Sequence, residues 1–580
     1  MDRWSLDVMY SDYNEEYKED VKKCQQAVES FNHFASAMDQ TQPLKTIKEG
    51  IDLLEKYSCL IDKLFSYTSL RQSVDTADSQ TVAYLGQLMS IDSSITKANT
   101  AFSKYIAQVK NLEEIIEQDE KLQAYSYLLK TTKKTAEHLL SDEVEGMIAK
   151  MDITGGSAWG NLQDFLTSSL EIDFDGQKLT LSDIRNMAYN ENEETRKKAY
   201  DAEIKSYEHI CEPIAFSLNN IKKQVNMLAK EKGYGSVLQM TLDQAHMKKT
   251  TLDAMLHAIE KHLPKFWEYY KRKGKLLGHD DGLPWYDLFA PIGVNNQTFT
   301  PEQARDYLVE HFAKFSQDLA DMVQEAFDNN WIDFFPRKGK VGGAFCANLP
   351  FAKQSRILTN FDGKLGDVVT LAHELGHAYH GYHIQNHLPL NYGYSMPVAE
   401  TASTFNENLI MNAIIQDADK ETKIALIETQ LQDLAQIICD IYSRFLFESK
   451  VVDECENDFK FATKCCDIML EAQKKAYGNG LSTFHPYMWC CKSHYYSSST
   501  SFYNFPYAFG GLFARGLYAK YQEDKENFVP KYQSLLKATT ISDVEDVASI
   551  CGIDLEDEKF WEDALLSCEA LIDQFLELTK

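Results

Sequence analysis

Apolar residues recur near a 3.6-residue period along most of the chain, with charges between them. This pattern predicts a succession of amphipathic helices. YNEEYKEDVKKCQQAVESFNHFASAM, TIKEGIDLLEKYSCLIDKLFSYTSL and VAYLGQLMSIDSSITKANTAFSKYIAQVKNLEEII all follow it. A long helical stretch runs from Asn192 to Gly233, with Pro213 as a kink or break and Gly233 as its stop.

Two places break the helical period. Leu170–Ile184, LEIDFDGQKLTLSDI, alternates as a hairpin does, with Asp175-Gly176 as the turn. Lys338–Gly363 holds two short β-type runs, GGAFCAN and RILTNF, just before a histidine-rich stretch. The expected class is therefore mainly α, with a small β-sheet near the chemically interesting residues. A soft boundary near residue 190 separates an N-terminal helical region, 1–190, from the remainder, 191–580.

Composition narrows the function. Apolar residues make up 44% of 580, enough for a large buried core. The formal net charge of −28 argues against nucleic acid or an anionic membrane as partner, since both need a basic surface. The opening MDRWSLDVMYSDYNEEYKED is acidic and has no apolar stretch of the signal-peptide kind, and no run of about 18 apolar residues suggests a membrane span. The twelve cysteines include no C-x-x-C pair, so a zinc ribbon is not expected; reduced thiols in a cytoplasmic protein are. Composition leaves the oligomeric state open.

The stretch TLAHELGHAYHGYH contains H-E-x-x-H. On a helix, His373 and His377 project from one face and can grip one ion, and Glu374 between them is angled towards a water rather than the metal. Zinc suits such a site and needs a third protein ligand plus an open position. Three residues compete for that role. His380 shares the face but lies too far along the axis of a straight helix. His383 has the spacing of H-E-x-x-H-x-x-G-x-x-H, although the glycine, Gly381, comes one residue late; Met396 is a candidate for that motif's methionine turn. Glu400 stands in PVAETASTFNENLIM, where Pro397 can start a helix that packs on the first. Glu400, Ser403, Thr404 and Glu407 would share a face of it, and Glu407 is either an orienting partner for a ligand histidine or an ordinary surface acid.

GDVVTLAHELGHAYH followed by VAETASTFNE resembles the M3 family of zinc metallopeptidases, most closely its oligoendopeptidase F branch. RWSLDVMYSDYNEEYKED, NENEETRKKAYDAE, the strands before the histidines and KSHYYSSSTSFYNFPYAFG resemble further parts of that branch, so the likeness spans nearly the whole chain. The resemblance implies an almost all-α ellipsoid with a deep channel and one zinc ion on its floor. It implies an N-terminal domain over 1–190, a catalytic domain over 191–580, and cleavage of internal bonds in short unfolded peptides. It assigns His373, His377 and Glu400 to zinc and Glu374 to the general base.

The resemblance also supports Gly343, Ala344 and Phe345 as a strand edge that pairs with substrate backbone; an internal hairpin is the plainer alternative. It points to His494, with Tyr507 or Tyr503, as donors to the oxyanion of the tetrahedral intermediate. Gly510-Gly511 and Ser497–Ser501 suit either a mobile flap or close helix packing. Two other functions compete. A carboxypeptidase or peptidyl-dipeptidase on a similar scaffold would need a cationic anchor for the substrate's C-terminus. A non-catalytic peptide-binding protein would be expected to have lost Glu374 or a ligand.

Overall fold

The predicted periodicity becomes helix over most of the chain in the computed structural model, which describes residues 2–293, 297–455 and 458–580. The first long helix, Glu15–Ser36, starts where the Asn14 side chain accepts the Tyr17 N–H at 3.0 Å. It buries Tyr17, Val21, Cys24, Val28 and Phe31, a stripe of alternating four- and three-residue steps. VAYLG…EEII, one helical run by pattern, falls into three helices, Ser79–Ser93, Thr96–Gln108 and Leu112–Glu117. At the first break the Ser94 hydroxyl donates to the Ile91 carbonyl at 2.6 Å, a local bond that competes with the helix ladder. The stretch after Asn192 divides into Glu193–Tyr207 and Cys211–Glu231. Pro213 is the third residue of the second helix, where its missing N–H costs nothing, and Gly233 ends the run with φ +79°.

The hairpin forms as the alternation predicts. β1 (Glu171–Phe174) pairs antiparallel with β2 (Gln177–Thr180), and Asp175 and Gly176 both take positive φ, as a type I′ turn requires. A second sheet joins β3 (Ile332–Asp333), β4 (Phe345–Leu349) and β5 (Gln354–Leu358) in the order β3-β5-β4. β4 and β5 are antiparallel neighbours, and β4 is an edge strand.

This small sheet stands between two apolar cores. One core runs from Trp4 to Leu129 and takes in Leu349 and Leu358. The other runs from Ile172 to Phe575, including the β1-β2 hairpin, and takes in Ile332 and Ile357. Successive residues 357 and 358 thus enter opposite cores, as the two-residue period of a strand dictates. The helix Leu365–Ile384, which carries H-E-x-x-H, packs against β4 and β5. All twelve cysteines are free thiols, and among the described residues no helix is long and apolar enough to cross a membrane.

Candidate active site

The H-E-x-x-H helix begins where the Asp367 carboxylate accepts the backbone N–H groups of Asp362 and Lys364, at 2.9 and 3.0 Å. It crosses the helix Thr401–Asp417 at Gly376. A Cβ on Gly376 would come within 2.5 Å of the Ala402 carbonyl oxygen, so glycine lets the two backbones approach. A short helix, Met396–Ala399, precedes this contact, with Pro397 in its first turn. Glu400 sits at the joint between the short helix and the longer one.

The joint brings Glu400 to both histidines. Its Oε2 lies 3.3 Å from His373 Nε2 and 3.4 Å from His377 Nε2. Tetrahedral ligands about 2.05 Å from a shared zinc would stand about 3.3 Å apart, so the spacing and the N, N, O donor set fit that ion. Behind the histidines, His373 Nδ1–H donates to Glu407 Oε1 at 2.7 Å, which fixes the tautomer and leaves Nε2 for a metal. The Ser403 hydroxyl donates to Glu400 Oε2 at 2.7 Å.

Electrostatics follow this geometry. Burial depresses the His373 imidazole, but Glu400 and Glu407 outweigh it and lift its pKa to about 10. His377, enclosed and lacking such a bond, drops to about 4. Burial opposes ionisation of Glu400, yet His373, His377 and Ser403 bring its pKa down to about 2. Glu374 is 5% exposed, and its carboxylate has no hydrogen-bond or ion-pair partner among the described residues. Burial raises its pKa to about 7, with Glu400 and Glu407 adding to the rise and His373 opposing it.

The other two candidate ligands lie elsewhere. The helix continues to Ile384 without turning back, so His383 remains on it and packs edge-on against Tyr379 at 4.5 Å. Gly381, which the turn-back motif would use to end the helix, instead makes room for Asn348 of β4; a Cβ there would come within 2.3 Å of Asn348 Oδ1. His380 is fully buried, hydrogen-bonded to Thr539 Oγ1 at 2.7 Å and stacked on Tyr394. Met396 begins the short helix before Glu400.

Two adjoining cavities meet at His373. One, of about 490 Å³, is lined by Gly343, Ala344, His373, Glu374 and Glu407 among others. The larger, about 1020 Å³, includes His373, Glu400, Glu407 and Tyr507 in its wall. Gly343 takes φ +77°, and its carbonyl accepts a hydrogen bond from the Asn360 side chain at 2.8 Å. Phe345 does not share that wall: its ring lies against Trp4, 6.2 Å between centroids, in the N-terminal core.

His494, Tyr503 and Tyr507 form one aromatic group, with centroids 5.2 to 5.9 Å apart. Tyr507 is the member that lines the larger cavity, and burial raises its pKa to about 12, so the hydroxyl stays protonated. Asn504 Oδ1 accepts from His494 Nδ1–H and from Arg444, both at 3.1 Å, and Arg444 pairs with Asp440. Phe502, at φ +54°, donates its N–H to Glu448 Oε1, which pairs with Lys222 at 2.7 Å in a fully buried contact. These supports and Ser403 lack the spacing signal that singles out the histidines. Gly510 and Gly511 lie inside the helix Phe505–Glu523, against Glu400 and Ile437, so they serve close packing.

The chain is similar to known proteins along most of its length. Oligopeptidase PepF of Bacillus subtilis is 26% identical over 548 residues, covering 91% of this chain and 80% of that protein. A putative peptidase from Chlamydophila abortus has the same fold at 20% identity, with a TM-score of 0.84 and 98% of each chain covered. Oligoendopeptidase F from Enterococcus faecium superposes with a TM-score of 0.71 at 19% identity, covering 97% of this chain and 98% of that one. The family model described as Oligopeptidase F matches residues 108–172. The model described as Peptidase family M3 matches 186–566, well over half of the chain and all of the site, and the chain belongs to that metallopeptidase family.

Proposed function

We propose that this protein is a zinc-dependent oligoendopeptidase that hydrolyses internal bonds of short unfolded peptides. The observation that carries the reading is the convergence of His373, His377 and Glu400 beside a partnerless, buried Glu374. His373, His377 and Glu400 would hold one zinc ion. Bound there, the ion would supply a Lewis acid for the scissile carbonyl and would make a water more acidic. Glu374 takes the proton of the attacking water onto its carboxylate and passes it to the leaving amine. Tyr507 donates its hydroxyl hydrogen to the oxyanion, with His494 and Tyr503 as its supporting neighbours. Gly343, Ala344 and Phe345 offer backbone groups to an extended substrate. For Phe345 this contribution is backbone alone, since its ring is turned to Trp4.

In this reading residues 1–190 form an N-terminal domain that walls the cleft, 191–580 form the catalytic domain, with the β1-β2 hairpin of the first packed into the core of the second, and the protein works in the cytoplasm. A wall of this kind excludes folded chains without reading side chains. The test is mass spectrometry of an end-blocked peptide library, digested with and without chelator. Internal cleavage that stops with chelator is expected; cleavage confined to free termini would overturn the endopeptidase reading. One cleavable segment, supplied free and within a folded host, tests the size limit. Equal cleavage rates for the two would mean the site is open.

A further inference from the structure

A third cavity, about 320 Å³, adjoins the larger one and shares Tyr189, Phe289, Gln432 and Asp433 with it. None of the catalytic roles above uses it. Its wall mixes aromatic rings, such as Tyr200 and Trp285, with several charges. Most of these charges are satisfied. Arg185 pairs with Glu203 at 2.9 Å, Arg196 with Asp287 at 2.7 Å, and Asp440 with Arg444.

Lys492 is one of two exceptions. Its side chain lines the cavity, is partly enclosed, and has no hydrogen-bond, ion-pair or ring partner among the described residues. Leaving a cation in such a place without a counter-charge is costly unless an anion arrives from outside the chain. The enclosure pulls the ammonium below its usual pKa; Arg444 and Arg185 add to this, and Asp440 opposes it. Asp433, at the junction with the main cavity, is the other unpaired charge. Protein packed around it, with Glu407 and Glu428 nearby, raises its pKa to about 7. A partly neutral Asp433 opposes an incoming anion less than a full carboxylate would.

We propose that this side cavity is a subsite for a carboxylate of the bound peptide, with Lys492 as its anchor. A backbone-reading strand at Gly343 and Ala344 distinguishes poorly between sequences. A single cation in a pocket opening off the same cleft adds a preference that the strand lacks. The carboxylate comes from the peptide's free C-terminus or from an aspartate or glutamate side chain. The subsite rests on the peptidase reading for its occupant, so its test separates binding from turnover.

Three versions of one short neutral peptide serve: one blocked at both ends, one with a free C-terminal carboxylate, and one end-blocked with glutamine replaced by glutamate. Their Kd values are measured by fluorescence anisotropy on metal-loaded Glu374→Gln protein, where turnover does not interfere. At least one of the carboxylate peptides is expected to bind about tenfold more tightly than the blocked one, the scale of one charge-assisted contact. The one that gains identifies the source. Adding Lys492→Met should bring the ratio to about 1, and adding Lys492→Arg should preserve it. Equal Kd values for all three peptides would overturn the proposal before any Lys492 variant is made, and so would an advantage that survives Lys492→Met. Cleavage of the blocked peptide by the unmodified enzyme is scored separately: its absence would sink the endopeptidase reading and leave the binding ratio standing.

Discussion

His373 and His377 stand on one regular helix and Glu400 at the joint leading into the helix that crosses it at Gly376, whereas His494 and Tyr503 stand on short turns between Lys492 and Phe505, with Tyr507 in the first turn of the helix that follows. The first group needs little beyond helix geometry: i, i+4 spacing aims both imidazoles, and one helix crossing delivers the carboxylate. The second group is held from far away. Asn504 is fixed by Arg444, and the backbone at Phe502 by Glu448 and its buried partner Lys222. In the proposed reading, a metal grip is thus written on two adjacent helical segments, while donors to a developing charge depend on the assembled core. The two halves should therefore fail in different ways when altered.

The largest difference is expected from Glu400→Ala. Metal content, read by plasma mass spectrometry, should collapse together with activity, by more than the roughly 10- to 100-fold that follows loss of an outer hydrogen-bond partner. His383→Ala should keep its metal, because His383 packs against Tyr379 away from the cluster. Retained metal in Glu400→Ala would dissolve the contrast between the two halves.

Next is Glu374→Gln. Turnover should fall by about 10²- to 10⁴-fold, the scale of a lost general base, while metal content is unchanged. This variant separates the proton carrier from the grip on the same helix. Near-normal turnover in the metal-loaded variant would remove Glu374 from the role given to it.

Much of this was readable in the sequence because helical periods are short. His373 and His377 are one turn apart, and Glu400 and Glu407 are two turns apart on neighbouring segments of one helical run. The Asp175-Gly176 hairpin is equally local. Where the reading left choices open, distant contacts decided them. Gly381 marks a possible turn by composition, but Asn348, on a strand, fills the space it leaves. The role of Ser403 depends on the orientation of the Glu400 side chain, which spacing alone does not give. Lys222 and Glu448 are 226 residues apart, and Arg444 and Asn504 are 60 apart; no periodic pattern pairs them.

Tyr507→Phe tests the other half. Loss of one oxyanion donor typically costs about 10²-fold in kcat, so a fall of that order is expected with KM and metal content little changed. Tyr503→Phe should cost less, since Tyr507 is the ring that lines the cavity with His373 and Glu400. A larger loss in Tyr503→Phe than in Tyr507→Phe would exchange their roles.

The smallest effect, and the finest test of the comparison, is Glu407→Gln. Glutamine keeps a carbonyl oxygen where Glu407 Oε1 accepts the His373 Nδ1–H at 2.7 Å, but it removes the charge. The ring should hold its orientation, and Nε2 should still face Glu400. What changes is the basicity of His373 as a ligand, which a neighbouring carboxylate raises. Metal affinity should therefore fall by about 10-fold, near the lower end for outer partners, as measured by competition with a chelator of known affinity. With metal saturating, kcat should recover most of its value, because neither Glu374 nor Tyr507 has moved. A kcat that stayed low under saturating metal, with affinity unchanged, would mean that Glu407 acts on the reacting groups rather than through His373. The metal-binding half would then be less self-contained than its two helices suggest.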